Sequence, residues 1–271
     1  WLWLLPADCE PAPTALQELL TAIARRPELD IVGPVLVEPR RRGPGTLVRQ
    51  FGQTITANGR IRGLVPPGEL YQGQLEDTDS FGVAAVGMLV RGQVWRDLGG
   101  FTTGVPADLR GAEFCWRARL AGHEVAAIAQ AQVVSRSEPG DPGDDRAAGL
   151  AMVAAHAPAG RRWLTTLRLV VMSLLAALGF ALGKDGERAA GELLGLGRWL
   201  GRRQPRTAIT GAARAVSGTA QTRARIRELR PGPGAGLRRL AEGVAGQVSD
   251  WLGTFAGPAP ATSLDELTGD D

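Results

Sequence analysis

Two long apolar runs, DIVGPVLVE at residues 30–38 and EVAAIAQAQVV at residues 124–134, constrain the fold more than any other feature. Each follows a stretch of helical period. Leu16, Leu19, Leu20 and Ile23 recur at helical spacing between Thr14 and Arg26, and Phe114, Trp116 or Arg117, and Leu120 do so before a stop at Gly122. Strand, helix and strand in that order is the rhythm of an α/β layer. Residues 39–80 are rich in Gly, Pro and Arg, with short strand candidates around LVRQFGQTIT, and read as a long surface excursion. Order returns in FGVAAVGMLVRGQVWRDLGGF: a strand containing Gly87, then a short helix with Val94, Trp95 and Leu98 facing inward, stopped by Gly99-Gly100. The opening WLWLL reads as a buried strand with no capping turn before it, which suggests a segment of a longer protein.

Composition narrows the class further. The 271 residues, 44% of them hydrophobic, suffice for one domain with a sizeable core and something extra. Cys9 and Cys115 stand in apolar runs, where a thiol acts as a small hydrophobe, and they form no disulfide framework or zinc spacing. Such thiols suit a reducing, cytosolic setting. Charge divides the chain: residues 1–160 hold 15 Arg against 18 Asp and Glu, whereas residues 161–271 hold 16 basic and ten acidic residues. All 16 of those bases fall between residues 161 and 239, beside only four acids.

That basic block surrounds LVVMSLLAALGFALG, residues 169–183, which is uncharged and flanked by Arg161, Arg162 and Arg168 on one side and Lys184 and Arg188 on the other. It is shorter than the roughly 20 apolar residues of a perpendicular span. Two readings stay open, a helix embedded in or lying on a membrane and a buried helix of a soluble domain. The arginine-rich stretch after it reads as a solvated linker or as a polybasic segment held against anionic lipid. Nucleic acid is disfavoured as a partner, since Trp199 is the lone aromatic there for base stacking. The expected organisation is therefore an α/β domain over 1–140, a linker over 141–160, an apolar helical region over 161–200, and an arginine-rich helical or linker segment with a flexible tail over 201–271.

Three motifs in order, GMLVR, then WRDLGGF, then FCWRARLAGHEV, closely resemble the inverting nucleotide-sugar glycosyltransferases of family 2, with the GT-A fold. The chain is most similar to their large membrane-associated actinobacterial members, over residues 1 to about 136. The resemblance implies a partial GT-A, Rossmann-like domain, with the first nucleotide-binding strands lying before residue 1. It implies transfer of a sugar from a nucleotide-sugar donor to a glycan or lipid-linked glycan acceptor of the cell envelope, at the cytosolic face of the membrane.

The residues follow from the same resemblance. In the family a divalent cation, Mg or Mn, held by carboxylates on a strand-end turn offsets charge on the leaving diphosphate. Asp8 in LPADCEP matches the second acidic position of that turn and is the implied metal ligand, while Pro6 takes the first. The family's general base stands at the start of the helix after Gly-Gly-Phe, where this chain has Arg110 and Gly111. Glu113 and Asp108 are the nearby carboxylates able to substitute if the helix start is shifted, although residues 111 and 113 lie about 200° apart around a helix. A histidine position after the closing strand is Arg136 here. Donor contacts are implied for Asp8, Gly87, Gly99, Gly100 and Arg136, and cations at Arg110 and Arg136 are an alternative to the metal. A catalytically silent module that binds a partner or a glycan is the competing reading.

Overall fold

The computed structural model describes residues 1–40, 43–136, 140–201 and 203–231. The flexible tail expected at the end of the 201–271 segment lies outside them. The fold is a mixed α/β arrangement with eight α-helices among the described residues.

A mixed sheet forms the centre. Its path runs β1 (Leu2–Trp3), β9 (Leu89–Val90), β3 (Leu29–Pro39), β10 (Glu124–Ser135), β2 (Cys9–Pro11). The two long strands β3 and β10 pair in parallel, with Val125 opposite Ile31 and Val134 opposite Val37, and every other pairing is antiparallel. The excursion joins this sheet at its margins: β4 (Thr46–Gln50) on β3, β7 (Leu70–Tyr71) on β4, β8 (Thr78–Asp79) on β10. Between them, β5 (Thr54–Ile55) and β6 (Ile61–Arg62) make a separate hairpin.

Both faces of β3 and β10 are covered, which is why they read as continuous apolar runs rather than alternating ones. Ile31, Val35, Val125, Ala127 and Ala129 meet Phe114, Cys115 and Ala118 on one face. Val32, Ala126 and Ile128 meet Leu19 and Ala22 of α1 (Ala15–Arg25) on the other. The helix carrying the phenylalanine and the cysteine is α3 (Ala107–Ala121), preceded by the short α2 (Gly92–Asp97). Gly122 takes φ +98° just after α3, the left-handed conformation that ends the helix.

α3 is itself enclosed. Its outer side, with Leu109, Ala112 and Trp116, packs under a helical layer of α4 (Pro142–Ala155), α5 (Arg162–Leu182), α6 (Gly186–Gly201), α7 (Arg203–Ala215) and α8 (Ala220–Glu228). A helix between two layers loses its polar stripe, and the charges it keeps must be paired.

Three sequence expectations differ from this. Residues 141–160 are not a linker: Asp141 caps α4, accepting from the Gly143 and Asp144 N–H groups at 2.9 Å, and Pro142 occupies the first helical position. WLWLL is not buried, because β1 is an edge strand with Trp1 and Leu2 exposed. α3 starts at Ala107, a turn before its apolar period becomes regular, so Asp108 stands in its first turn.

Candidate active site

In open α/β sheets, ligands bind beyond the carboxyl ends of the parallel strands. Here that end is Ser135, the last residue of β10, and Arg136 after it. Because β2 runs antiparallel to β10, the turn before it lies alongside, and the Arg136 N–H donates to the Asp8 carbonyl at 3.1 Å. Because α3 leads directly into β10, its first turn lies toward the same end, and Asp108 Oδ2 accepts from the Gly140 N–H at 3.2 Å. Asp8, Asp108, Arg110 and Arg136 are all exposed. Arg136 pairs with Glu10 at 2.9 Å, and Arg110 Nε donates to the Val105 carbonyl at 3.0 Å.

Gly111 is excluded from carrying a carboxylate. A side-chain carbon there would stand 2.1 Å from the Val83 carbonyl oxygen and 2.6 Å from the Ala85 nitrogen, far inside contact distance. α3 therefore abuts the 83–85 backbone at this position, and glycine is what allows it.

Glu113, the other candidate base, faces inward. It is fully buried, and Arg117 one turn later grips its carboxylate with Nε and Nη2, both at 2.8 Å. The same guanidinium donates to the carbonyls of Leu98 at 2.6 Å and Gly100 at 2.7 Å. Glu113 thus orients the arginine that ties α3 to the turn after α2. A carboxylate held on both oxygens inside the core has no acceptor hydroxyl to meet.

The glycines expected to face a donor also have structural tasks. Gly87, at φ +74°, lies against Pro34 and Val133, its N–H donating to the Leu4 carbonyl and its own carbonyl accepting from Trp3 Nε1 at 3.1 Å. Gly99 and Gly100 hold φ +69° and +67° after α2, and a side chain on Gly100 would meet the Trp95 ring at 2.9 Å. Trp95 and Trp116 are core anchors, edge-on to Phe101 and Phe81 respectively.

A half-buried carboxylate absent from the sequence reading, Asp145, joins Asp108. A carbon placed on Gly140 would lie 3.3 Å from both Asp145 oxygens and 3.5 Å from Asp108 Oδ2, so both carboxylates rest against one glycine. Burial, then the charges of Asp108, Asp141 and Asp144, push the Asp145 carboxyl up to about 6. Its Oδ1 is buried without a hydrogen-bond partner among the described residues. The signal for Asp145 was the Asp-Pro capping pair: a helix starting at Pro142 turns the run of acids in GDPGDD toward the start of α3.

A cleft of about 280 Å3 opens near these helix starts, lined by Gly104, Val105 and Pro106 before α3, Asp141 and Asp144 at the start of α4, and Arg198 and Trp199 of α6, with Asp108 and Asp145 outside its lining. Arg198 bridges Asp141 and Asp144.

Among the described residues no group of three or more His, Cys, Asp or Glu side chains converges as a metal site. Glu10, the nearest carboxylate in sequence to Asp8, is paired with Arg136. Mg is usually held by one or two carboxylates together with waters and substrate phosphates, and Asp8 would supply one such carboxylate. No known family model matches the chain, and no curated protein matches it. The fold and the site define an α/β domain with paired carboxylates and exposed arginines at the carboxyl end of its parallel strands.

Proposed function

We propose that the chain is a glycosyltransferase-like domain, of the GT-A kind its motifs resemble, which moves a sugar from a nucleotide-sugar donor to a glycan or lipid-linked glycan. The observation that carries this reading is that the carboxylates of Asp108 and Asp145, from the first turns of α3 and α4, both rest against Gly140. Inverting transfer needs a base to take the proton of the acceptor hydroxyl while its oxygen attacks the anomeric carbon. The diphosphate leaves with the electrons of the broken bond. Asp145 is the base, since a carboxyl at about 6 lies close to the range that proton transfer favours near neutral pH. Asp108, exposed, orients the hydroxyl. Arg110 and Arg136, exposed at the same end of the domain, carry guanidinium groups that match a departing diphosphate as bidentate donors.

Turnover of a panel of nucleotide sugars, with and without Mg or Mn, tests this. Asp145→Asn is expected to lower turnover about 100-fold or more while donor affinity is kept. The silent, glycan-binding reading draws on Arg110 and Gly111, which stand where the family has its base, and on Glu113, whose carboxylate is held by Arg117. Glycan binding without turnover of any donor would select it.

A further inference from the structure

α5 has 21 residues and is long and apolar enough to cross a membrane. Its stripe Leu169, Ser173 and Ala177, at intervals of four, is buried against α4 and α6. There Ser173 Oγ accepts from Arg146 Nη2 at 2.7 Å, and Arg146 Nε donates to Glu192 at 2.7 Å. Arg60 joins the same glutamate from the β5–β6 hairpin. A spanning α5 would draw this charged cluster, and the acids that begin α4, to the depth of the hydrocarbon, where such groups are strongly disfavoured.

The opposite face of α5 is bare. Trp163, Leu164, Leu167, Val171, Leu174, Leu175, Leu178 and Leu182 are between 45% and 78% exposed. With Met172 they present on the order of 1,000 Å2 of apolar surface, above the few hundred Å2 of the largest patch on a typical soluble monomer. Leu193, Leu194 and Leu200 are exposed on α6, which packs beside α5. No acid occurs between residues 162 and 182, whereas Arg161 and Arg162 stand at one end and Lys184 and Arg188 at the other. Asp185 in that far turn is paired with Arg188. Apolar surface bounded by cations at both ends is what a helix in the interfacial plane of an anionic bilayer presents, with its long basic side chains reaching the headgroups.

We infer that α5 docks this domain onto an anionic lipid surface as an in-plane helix, its outer face in the headgroup–acyl boundary and its inner stripe still held on α4 and α6. The inference stands apart from the glycosyltransferase reading, because it rests on the surface and not on Asp108 or Asp145.

The experiment is sedimentation of the full 271-residue chain with vesicles of phosphatidylcholine alone and of phosphatidylcholine mixed with phosphatidylglycerol. The chain is expected to bind the anionic vesicles about tenfold or more tightly than the neutral ones, and less so as salt is raised. The bound chain should wash off in alkaline carbonate, as an in-plane helix does and a spanning one does not. Leu175→Glu/Leu178→Glu removes apolar contact without touching the buried stripe, so binding should fall at least about tenfold with Tm kept. Arg161→Gln/Arg162→Gln should lower binding to anionic vesicles alone. Equal binding by the leucine variant and the parent overturns the inference. So does retention after the carbonate wash, or a chain that stays off vesicles because a second copy covers α5.

Discussion

Arg117 holds Glu113 through two parallel hydrogen bonds of 2.8 Å inside a helix that is buried on both sides. The pair satisfies two charges that α3 could not otherwise keep between the sheet and the helical layer. Removing one partner strands the other, so Glu113→Gln or Arg117→Met is expected to cost about 3–5 kcal/mol of stability. Glu113→Leu with Arg117→Met should cost much less than the two single changes added together, since no charge is then left unpaired. Denaturant unfolding of the three variants measures both statements. If Glu113→Gln instead left stability unchanged and abolished activity, the inward reading of this residue would fail.

Asp145 opposes folding at neutral pH. Its folded value of about 6 lies above the ordinary carboxylate value, so between the two the folded chain binds more protons than the unfolded one. The penalty is full above about pH 6 and relieved as pH falls below the unfolded value. Asp145→Asn is therefore expected to raise stability at pH 7 by about 1 kcal/mol, the side chain being partly solvated. The gain should vanish toward pH 4. Urea unfolding at pH 4 and pH 7 checks the difference.

His156 acts with the opposite sign over an overlapping range. Its ring stacks on Trp116 at 3.9 Å with an interplanar angle of 11°, and its Nδ1 lies 2.9 Å from the Met152 carbonyl. Burial, followed by the charges of Arg230 and Arg117, lowers it to about 4. The unfolded ring binds a proton before the folded one does, so stability is full above about pH 6.5 and is lost toward pH 4, by about 3 kcal/mol at most. His156→Phe keeps the stacking and should flatten this acid limb. An acid limb unchanged in His156→Phe would count against this account.

Gly111→Ala is the sharpest backbone test. The added methyl would stand 2.1 Å from the Val83 carbonyl oxygen, so α3 must lift from the 83–85 segment. A loss of about 2–3 kcal/mol or more is expected, against a gain at an ordinary solvent-exposed helical position where alanine is the better helix former. Thermal unfolding distinguishes the two signs.

How much of this was legible depends on where the signal resides. β3, β10 and α1 follow from local pattern, since their apolar residues recur at strand or helix period over a long stretch. Gly122 announces the end of α3 for the same reason. α4 is harder to see, because PGDDRAAGLAMVAA opens with turn formers and shows no clear apolar face, being buried nearly all round. Its start is nonetheless written in Asp141-Pro142. The inward direction of Glu113 is set by tertiary packing, as nothing in EFCWR says which side of α3 meets the sheet. Asp145 joins Asp108 through the meeting of two helix starts across Gly140, a relationship of chain path that has no local pattern.

The last described residues close on the hairpin far behind them in the chain. Thr54 Oγ1 donates to the Leu229 carbonyl at 2.9 Å, and Arg230 donates to the carbonyls of Ile55 and Thr56, each at 3.1 Å. Ile55 and Ile226 belong to one core cluster. During synthesis, then, the hairpin emerges about 170 residues before its partners, and at roughly 5–20 residues per second it waits on the order of ten seconds or more with its apolar side uncovered. A ribosome-bound chain halted before residue 229 should be the form that a chaperone holds, and release into a protease-resistant state should follow only once Arg230 has left the exit tunnel.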